Sequence, residues 1–243
     1  ERVQAGTIHS TCWRLWRESH KDDPRGRVES VLGTYTCDVT AYGIMGPVLR
    51  ASGIFDVDLK DLFTLSERVR EGGVEVPRAG APSDALVEAF KTAGGNGAAR
   101  DFARVAILYE TEKGRRGLID FTDMMLLLYG ATRRGEEWAK ALQGRFSHVA
   151  LDEAQDANAL QVGIIEWLAV GSRCLLWVGD FRQSIYGFRG ARPDLLRGRL
   201  DRGAVLLSMR YNHRSGSAIV DVSNRFAAGR DWHIGGDSLA DEA

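Results

Sequence analysis

The 243-residue sequence has only three cysteines, Cys12, Cys37 and Cys174, far apart and with no C-x-x-C spacing. An odd number at such separations supports neither a disulfide framework nor a zinc site, and fits a reducing cytosol. Long hydrophobic runs are also missing. MMLLLY and CLLWV fall well short of the roughly 20 apolar residues a membrane span requires, and no secretory leader pattern opens the chain. The expectation is a soluble, cytoplasmic protein with no membrane partner. Net charge is nearly absent as well, at −1. No global positive field draws the chain to a polyanion, so any contact with nucleic acid must be local. Internal repeats and low-complexity tracts are lacking too.

What is present is an ordinary globular composition, 44% hydrophobic and 27% charged, enough for one large or two modest cores. The first residue is Glu1 rather than Met, and ERVQAGTIHS reads as the tail of a helix running into a strand or turn, so the expectation is a piece of a longer protein. Cys12, Leu15 and Trp16 share one side of a helix over residues 9–19, followed by the polar break HKDDPRG. From there to about residue 100 short helices, one near residues 57–70, alternate with loops. Beyond residue 102, Phe102, Val105, Ala106 and Tyr109 keep a 3.6-residue period, and a second helix is expected over residues 121–134.

From His148 the pattern changes. HVALDE, RCLLWVGD and AVLLSM are short apolar runs, two of them ending in acids, with helical stretches near residues 158–169 and 193–200 between them. This alternation predicts parallel strands joined by helical crossovers, an α/β nucleotide-binding sheet. In such sheets ligands sit at the carboxyl ends of the strands, where Asp152, Glu153 and Asp180 fall. A strand ending in Asp-Glu can place one carboxylate near Mg²⁺ and a second beside an attacking water. An acidic pair after a strand also arises as a helix N-cap or a plain surface feature. On GDFRQSIYGFRGA, residues 179–191, Gln183 shares a glycine-punctuated loop with Tyr186, Phe188 and Arg189. Those rings and that guanidinium could stack on unpaired bases, at about 1–3 kcal/mol per base, or could simply fill a core. The window 182–202 carries six arginines against Asp194 and Asp201, either a local basic surface or a solvated helix face.

DEAQD with Gln161 downstream, then VGDFRQSIYGFRGA, then YNHRS, resemble in order and spacing helicase motifs II, III and IV of the UvrD/Rep/PcrA-like superfamily 1 DNA helicases. GTIHS at residues 6–10 is similar to the family's GTFHS strand motif, and LIDFTDMM at 118–125 to its LDFDDLL segment. The resemblance implies a partial RecA-like parallel sheet of the P-loop NTPase type with a mainly helical inserted subdomain. Residues 1–12 and 146–210 would belong to the first RecA-like domain, 13–145 to the insertion, and 211–243 to the start of the second RecA-like domain. It further implies ATP and Mg²⁺ as cofactors, with Asp152 on the metal and Glu153 as general base. Gln183 would couple nucleotide state to the DNA loop, and Arg214 would stabilise charge on the γ-phosphate. Thr7, His9, Tyr186, Phe188 and Arg189 would contact single-stranded DNA, and translocation would run 3′ to 5′ toward duplex junctions.

The sequence departs from the family pattern in several places. No G-x-x-x-x-G-K-[ST] phosphate loop occurs. Ile8 stands where the family usually has Phe, His213 replaces a Tyr, and Phe181 and Arg182 occupy positions that are often acidic or otherwise polar. After Ser215, a plausible N-cap, the residues Ile219, Val222 and Phe226 keep helical spacing. The alternative from a different class is a non-enzymatic remnant or single-stranded-DNA-binding module that has lost hydrolysis. A third reading is the motor portion of a helicase–nuclease fusion.

Overall fold

The computed structural model describes residues 3–21, 37–54, 57–184, 191–228 and 239–240. The chain divides into two compact units, Glu1–Val149 with Asn158–Leu175, and Ala150–Ala157 with Leu176–Ala243.

The first unit is mainly helical. Helix α1 spans Ile8–Ser19, opened by Thr7, whose hydroxyl accepts from Ser10 N–H. GTIHS is therefore a loop and helix start rather than a strand, because a Thr side chain facing the free amides of a first turn favours helix initiation. Cys12, Leu15 and Trp16 form the buried side of α1, as their spacing predicts. Helices α2 (Cys37–Ser52), α3 (Leu59–Glu71), α4 (Asp84–Phe90) and α5 (Ala99–Arg116) surround one core that contains Leu62, Leu65, Phe90, Phe102 and Val105. Asp58 caps α3 by accepting from the amides of Lys60 and Asp61, and Gly117, left-handed at φ 68°, closes α5.

Helix α6 (Phe121–Arg134) begins at the reciprocal capping box of Asp120 and Asp123. It is followed by the short α7 (Glu137–Lys140), strand β1 (His148–Leu151) and α8 (Ala159–Leu168). A second core joins Cys12 and Leu15 to Met125, Leu128, Leu142, Leu160, Ile164 and Leu168. Each such side chain, fully removed from water, contributes about 1.5–3 kcal/mol. Trp16 lies between Trp13 and His20 in stacked contacts with centroids 5.1 and 4.6 Å apart.

Strand β2 (Cys174–Trp177) pairs with β1 in a two-stranded sheet. In the second unit the pairing continues past the strand ends: Val178 N–H donates to Leu151 O and Ala154 N–H to Val178 O, both at 2.8 Å. With Arg173 N–H donating to Ser147 O at the other end of the pair, the residue numbers rise on both partners, which marks a parallel register. Helix α9 (Pro193–Leu200) starts with proline in its first turn, and strand β3 (Tyr211–Asn212) pairs in parallel with β4 (Leu239–Ala240). Helix α10 spans Ser217–Ala227.

The architecture is thus mixed α/β, mostly helical, with small parallel strand pairs. Two expectations are corrected here. AVLLSM, residues 204–209, is not a strand among the described residues: it has no ladder partner, and Val205 and Met209 are 83% and 87% exposed. Apolar content alone cannot hold an extended segment that lacks a neighbour for its backbone groups. The N-cap of α10 is Gly216, not Ser215. Ile219, Val222 and Phe226 face outward, about two-thirds exposed, while Val220 and Ala227 are buried.

Candidate nucleotide site

Asp152 and Glu153 follow directly from the last residue of β1, and both are exposed. Glu153 N–H donates to Asp152 Oδ1 at 2.9 Å, a local bond that turns the chain sharply after the strand. The turn holds Glu153 at φ 50°, ψ 39°, in the left-handed region. For a residue with a Cβ this conformation costs on the order of 1 kcal/mol and persists only where the surroundings impose it.

Gln155, in the 3₁₀ turn Ala154–Asp156, is 1% exposed. Its Nε2 donates to Glu153 Oε2 at 2.7 Å and its Oε1 accepts from Asp180 N–H at 3.0 Å. The partners fix the amide orientation, since a backbone N–H can only donate and a carboxylate can only accept. Asp180 lies on the loop after β2, where its carboxylate accepts from Arg182 N–H and Nε and, at 3.2 Å, from Gln183 Nε2. Burial alone would raise the Asp180 carboxyl, but these donors, Arg182 first, bring it below the ordinary carboxylate range. A continuous line of hydrogen bonds therefore runs from Glu153 through Gln155 and Asp180 to Gln183.

Gly179 permits the approach of the two loops. A Cβ there would stand 2.4 Å from Gln155 Oε1 and 3.2 Å from Ala154 N. Below, Arg192 N–H donates to Ala157 O at 3.0 Å, tying the entry of α9 to the turn after the acids. Much of the arginine-rich window is engaged locally: Arg182 pairs with Asp180, Arg192 with Asp194, and Arg199 stacks over Trp177 at 5.6 Å.

The other anticipated site residues fall elsewhere. Arg214 is exposed before α10, its N–H donating to Asn212 Oδ1 at 2.9 Å, and its side chain is not part of the Glu153–Gln183 line. Thr7 caps α1, and His9 meets Phe121 edge-on at 5.8 Å, with burial holding its imidazole below the usual value. Tyr186, Phe188 and Arg189 lie outside the described residues. Spacing did not single out Gln155 or Gly179. The signal available was the glutamine two positions after the Asp-Glu pair and the glycine before Asp180, and neither has a partner that sequence alone identifies.

The donor set at the strand end suits a hard, oxygen-preferring cation: Asp152 is an exposed carboxylate with a second acid beside it. A different acidic group, Glu110, Asp120 and Asp123 in the first unit, is tight enough to hold a cation. Its centre is already taken by Lys113, fully buried, whose Nζ lies 2.7 Å from all three carboxylates. Arg70 adds bonds to both oxygens of Asp120 at 2.8 Å and to Asp123 at 2.5 Å, and pairs with Glu67 at 3.0 Å. Four carboxyl groups thus share two cations. Burial pushes Glu67 and Glu110 up toward protonation, whereas for Asp120 the same burial is outweighed by Arg70 and Lys113, which hold it far below the ordinary range. LIDFTDMM owes its acids to this cluster and to the cap of α6.

Comparison with known proteins agrees with the motifs. Residues 55–200 match the UvrD/REP helicase N-terminal domain. A probable DNA helicase II homolog of Mycoplasma capricolum is 31% identical over 147 residues, 60% of this chain and 20% of its own length. The ATP-dependent DNA helicase Rep of Escherichia coli is 36% identical over 128 residues, 51% of this chain and 19% of its own. The DNA helicase II of Haemophilus influenzae is 31% identical over 137 residues, 56% of this chain and 19% of its own. The chain spans about a fifth of the length of these relatives. With more than half of its residues inside the family match, the chain belongs to the UvrD/REP helicase family.

Proposed function

We propose that this chain is part of an ATP-driven motor that translocates 3′ to 5′ on single-stranded DNA and separates duplex at junctions. The reading is carried by the line Glu153–Gln155–Asp180–Gln183, which joins an acid able to accept a proton from water to an amide on the neighbouring strand-end loop. Asp152 would hold Mg²⁺ with the nucleotide phosphates, and the metal would supply charge neutralisation during phosphoryl transfer. Glu153 takes the proton of the attacking water, and Gln183 responds to the γ-phosphate and passes its state along the loop toward Tyr186, Phe188 and Arg189. Arg214 reaches the γ-phosphate when nucleotide is bound. Thr7 and His9 contact the DNA strand. Stacking and backbone contacts carry no base code, so binding is sequence-tolerant and weakens with salt.

In this reading residues 1–12 and 146–210 belong to a RecA-like domain, 13–145 to its inserted helical subdomain, and 211–243 to the start of a second RecA-like domain. The setting is the cytoplasm. No described helix is long and apolar enough to cross a membrane.

The test is ATP turnover by the complete product of the gene with Mg²⁺ and single-stranded DNA. Glu153→Gln is expected to lower kcat by about 10²–10⁴-fold while nucleotide binding persists. Undiminished turnover in that variant overturns the assignment of the base. The 243-residue chain alone, without a phosphate-loop sequence, is expected to hydrolyse ATP negligibly. A complete product that binds single-stranded DNA but turns over no ATP supports the non-enzymatic module instead.

A further inference from the structure

We infer that Gln155 is the positioning residue of the hydrolytic site: its buried amide holds Glu153 against water and ties that acid to the loop carrying Gln183. The inference rests on the proposed role of Glu153 and adds a residue to it.

Three observations point the same way. The amide is almost fully buried, and each of its ends is committed to one partner, Glu153 Oε2 at 2.7 Å and Asp180 N–H at 3.0 Å. Glu153 sits in a left-handed conformation, so its side chain leaves the backbone along a direction that a relaxed residue would not choose. An exposed carboxylate on a strained turn has several rotamers open to it, and a single charge-assisted bond from a rigid donor selects one of them. Finally, Gly179 leaves the space that Gln155 Oε1 occupies, where a Cβ would stand 2.4 Å away. Two loops have thus given up side-chain volume and backbone ease to accommodate one amide. Ser184 Oγ, 3.4 Å from Gln155 O, adds a contact from the Gln183 loop to the same residue.

A residue whose only task is to join the loops would affect stability and leave the chemistry of Glu153 alone. A positioning residue acts on the rate through Glu153, because a general base displaced by about 1 Å loses on the order of 10²-fold in rate.

The experiment is a double-mutant cycle on the complete gene product, with Mg²⁺ and saturating single-stranded DNA, read by single-turnover hydrolysis and by steady-state kinetics. Gln155→Met keeps the length and burial of the side chain and removes both hydrogen bonds. It is expected to lower kcat about 10- to 100-fold with KM for ATP within about twofold. In the Glu153→Gln background the same substitution is expected to change the residual rate by less than about twofold, since the group it positions is already gone. If Gln155→Met leaves kcat unchanged, or lowers the rate by the same factor in both backgrounds, the inference fails. Should Gln155→Met not fold, Gln155→Asn, which keeps the amide one methylene short of its partners, enters the same cycle with the same expectations. Undiminished turnover in Glu153→Gln alone overturns the assignment of Glu153 as the base on which this inference rests, and is distinguishable from either outcome for Gln155.

Discussion

Two groups of acids in this chain invite comparison. In the first unit Glu67, Glu110, Asp120 and Asp123 surround Arg70 and Lys113 where α3, α5 and the start of α6 meet, each carboxylate within ion-pair distance of at least one of the two cations. In the second unit Asp152 and Glu153 stand exposed at the end of β1, held by one backbone turn and one amide. Both arise from short acidic patterns, D-x-x-D and D-E, which look equally chemical in the sequence. The difference is one of free valence: Asp120 and Asp123 have spent their lone pairs on ammonium, guanidinium and cap amides, whereas the exposed pair keeps oxygen atoms directed to solvent, where a cation or a water can be met. Reactive potential follows from what a carboxylate has left unbonded, not from how many carboxylates lie together.

The largest effect should come from breaking the closed cluster. Arg70→Met leaves Asp120 and Asp123 short of a buried cation and is expected to cost about 3–5 kcal/mol in urea unfolding. Asp152→Asn, on an exposed acid, is expected to stay within about 0.5 kcal/mol of wild type. Equal losses would erase the distinction between the two groups.

The pH dependence sharpens it. Burial raises the Glu110 carboxyl above its ordinary 4.5, so the folded chain keeps a proton that the unfolded chain releases first. Its contribution to stability is fully present below pH 4.5 and declines as pH rises through the folded value, by at most about 1.4 kcal/mol per pH unit for one proton. Glu110→Gln is therefore expected to flatten the fall in stability on the alkaline side of pH 4.5, with Glu67 still contributing its share. An unchanged slope in denaturant titrations at several pH values contradicts the assignment.

On the side of the exposed pair, Gly179→Ala forces a methyl group into Gln155 and is expected to cost about 1–3 kcal/mol. Amide exchange at Asp180 should rise in that variant. A smaller effect is expected at the start of α1: Thr7→Ala removes the helix cap and should lower stability by about 1 kcal/mol. In the complete gene product a salt-dependent loss of DNA affinity beyond that shift would support the proposed DNA contact.

The parts of the fold that could be read along the chain are those governed by near neighbours. Asp58 with the period of Leu62, Leu65 and Val69 marks α3, and Asp120 with Asp123 marks the first turn of α6, because a cap and a 3.6-residue stripe lie within a few residues of each other. AVLLSM misled for the complementary reason. Its apolar content says that it could be covered, and only the surrounding chain decides whether it is. Of the candidate site, Asp152, Glu153 and Gln183 were visible as types at strand ends, while Gln155 was not, since its significance lies in Asp180, 25 residues away.

By itself, then, the sequence determined helices such as α1, α3, α6, α8 and α9, where the strands end in acids, and the family to which the chain belongs, since local periodicity and motif order need no partner to be recognised. Only the tertiary structure decided that Asp120 and Asp123 neutralise Lys113 and Arg70 and that Gln155 bridges two loops. Arg70 and Asp120 are 50 residues apart, and burial and hydrogen bonding between such distant groups depend on how the helices and strands pack, a property that no spacing along the chain encodes.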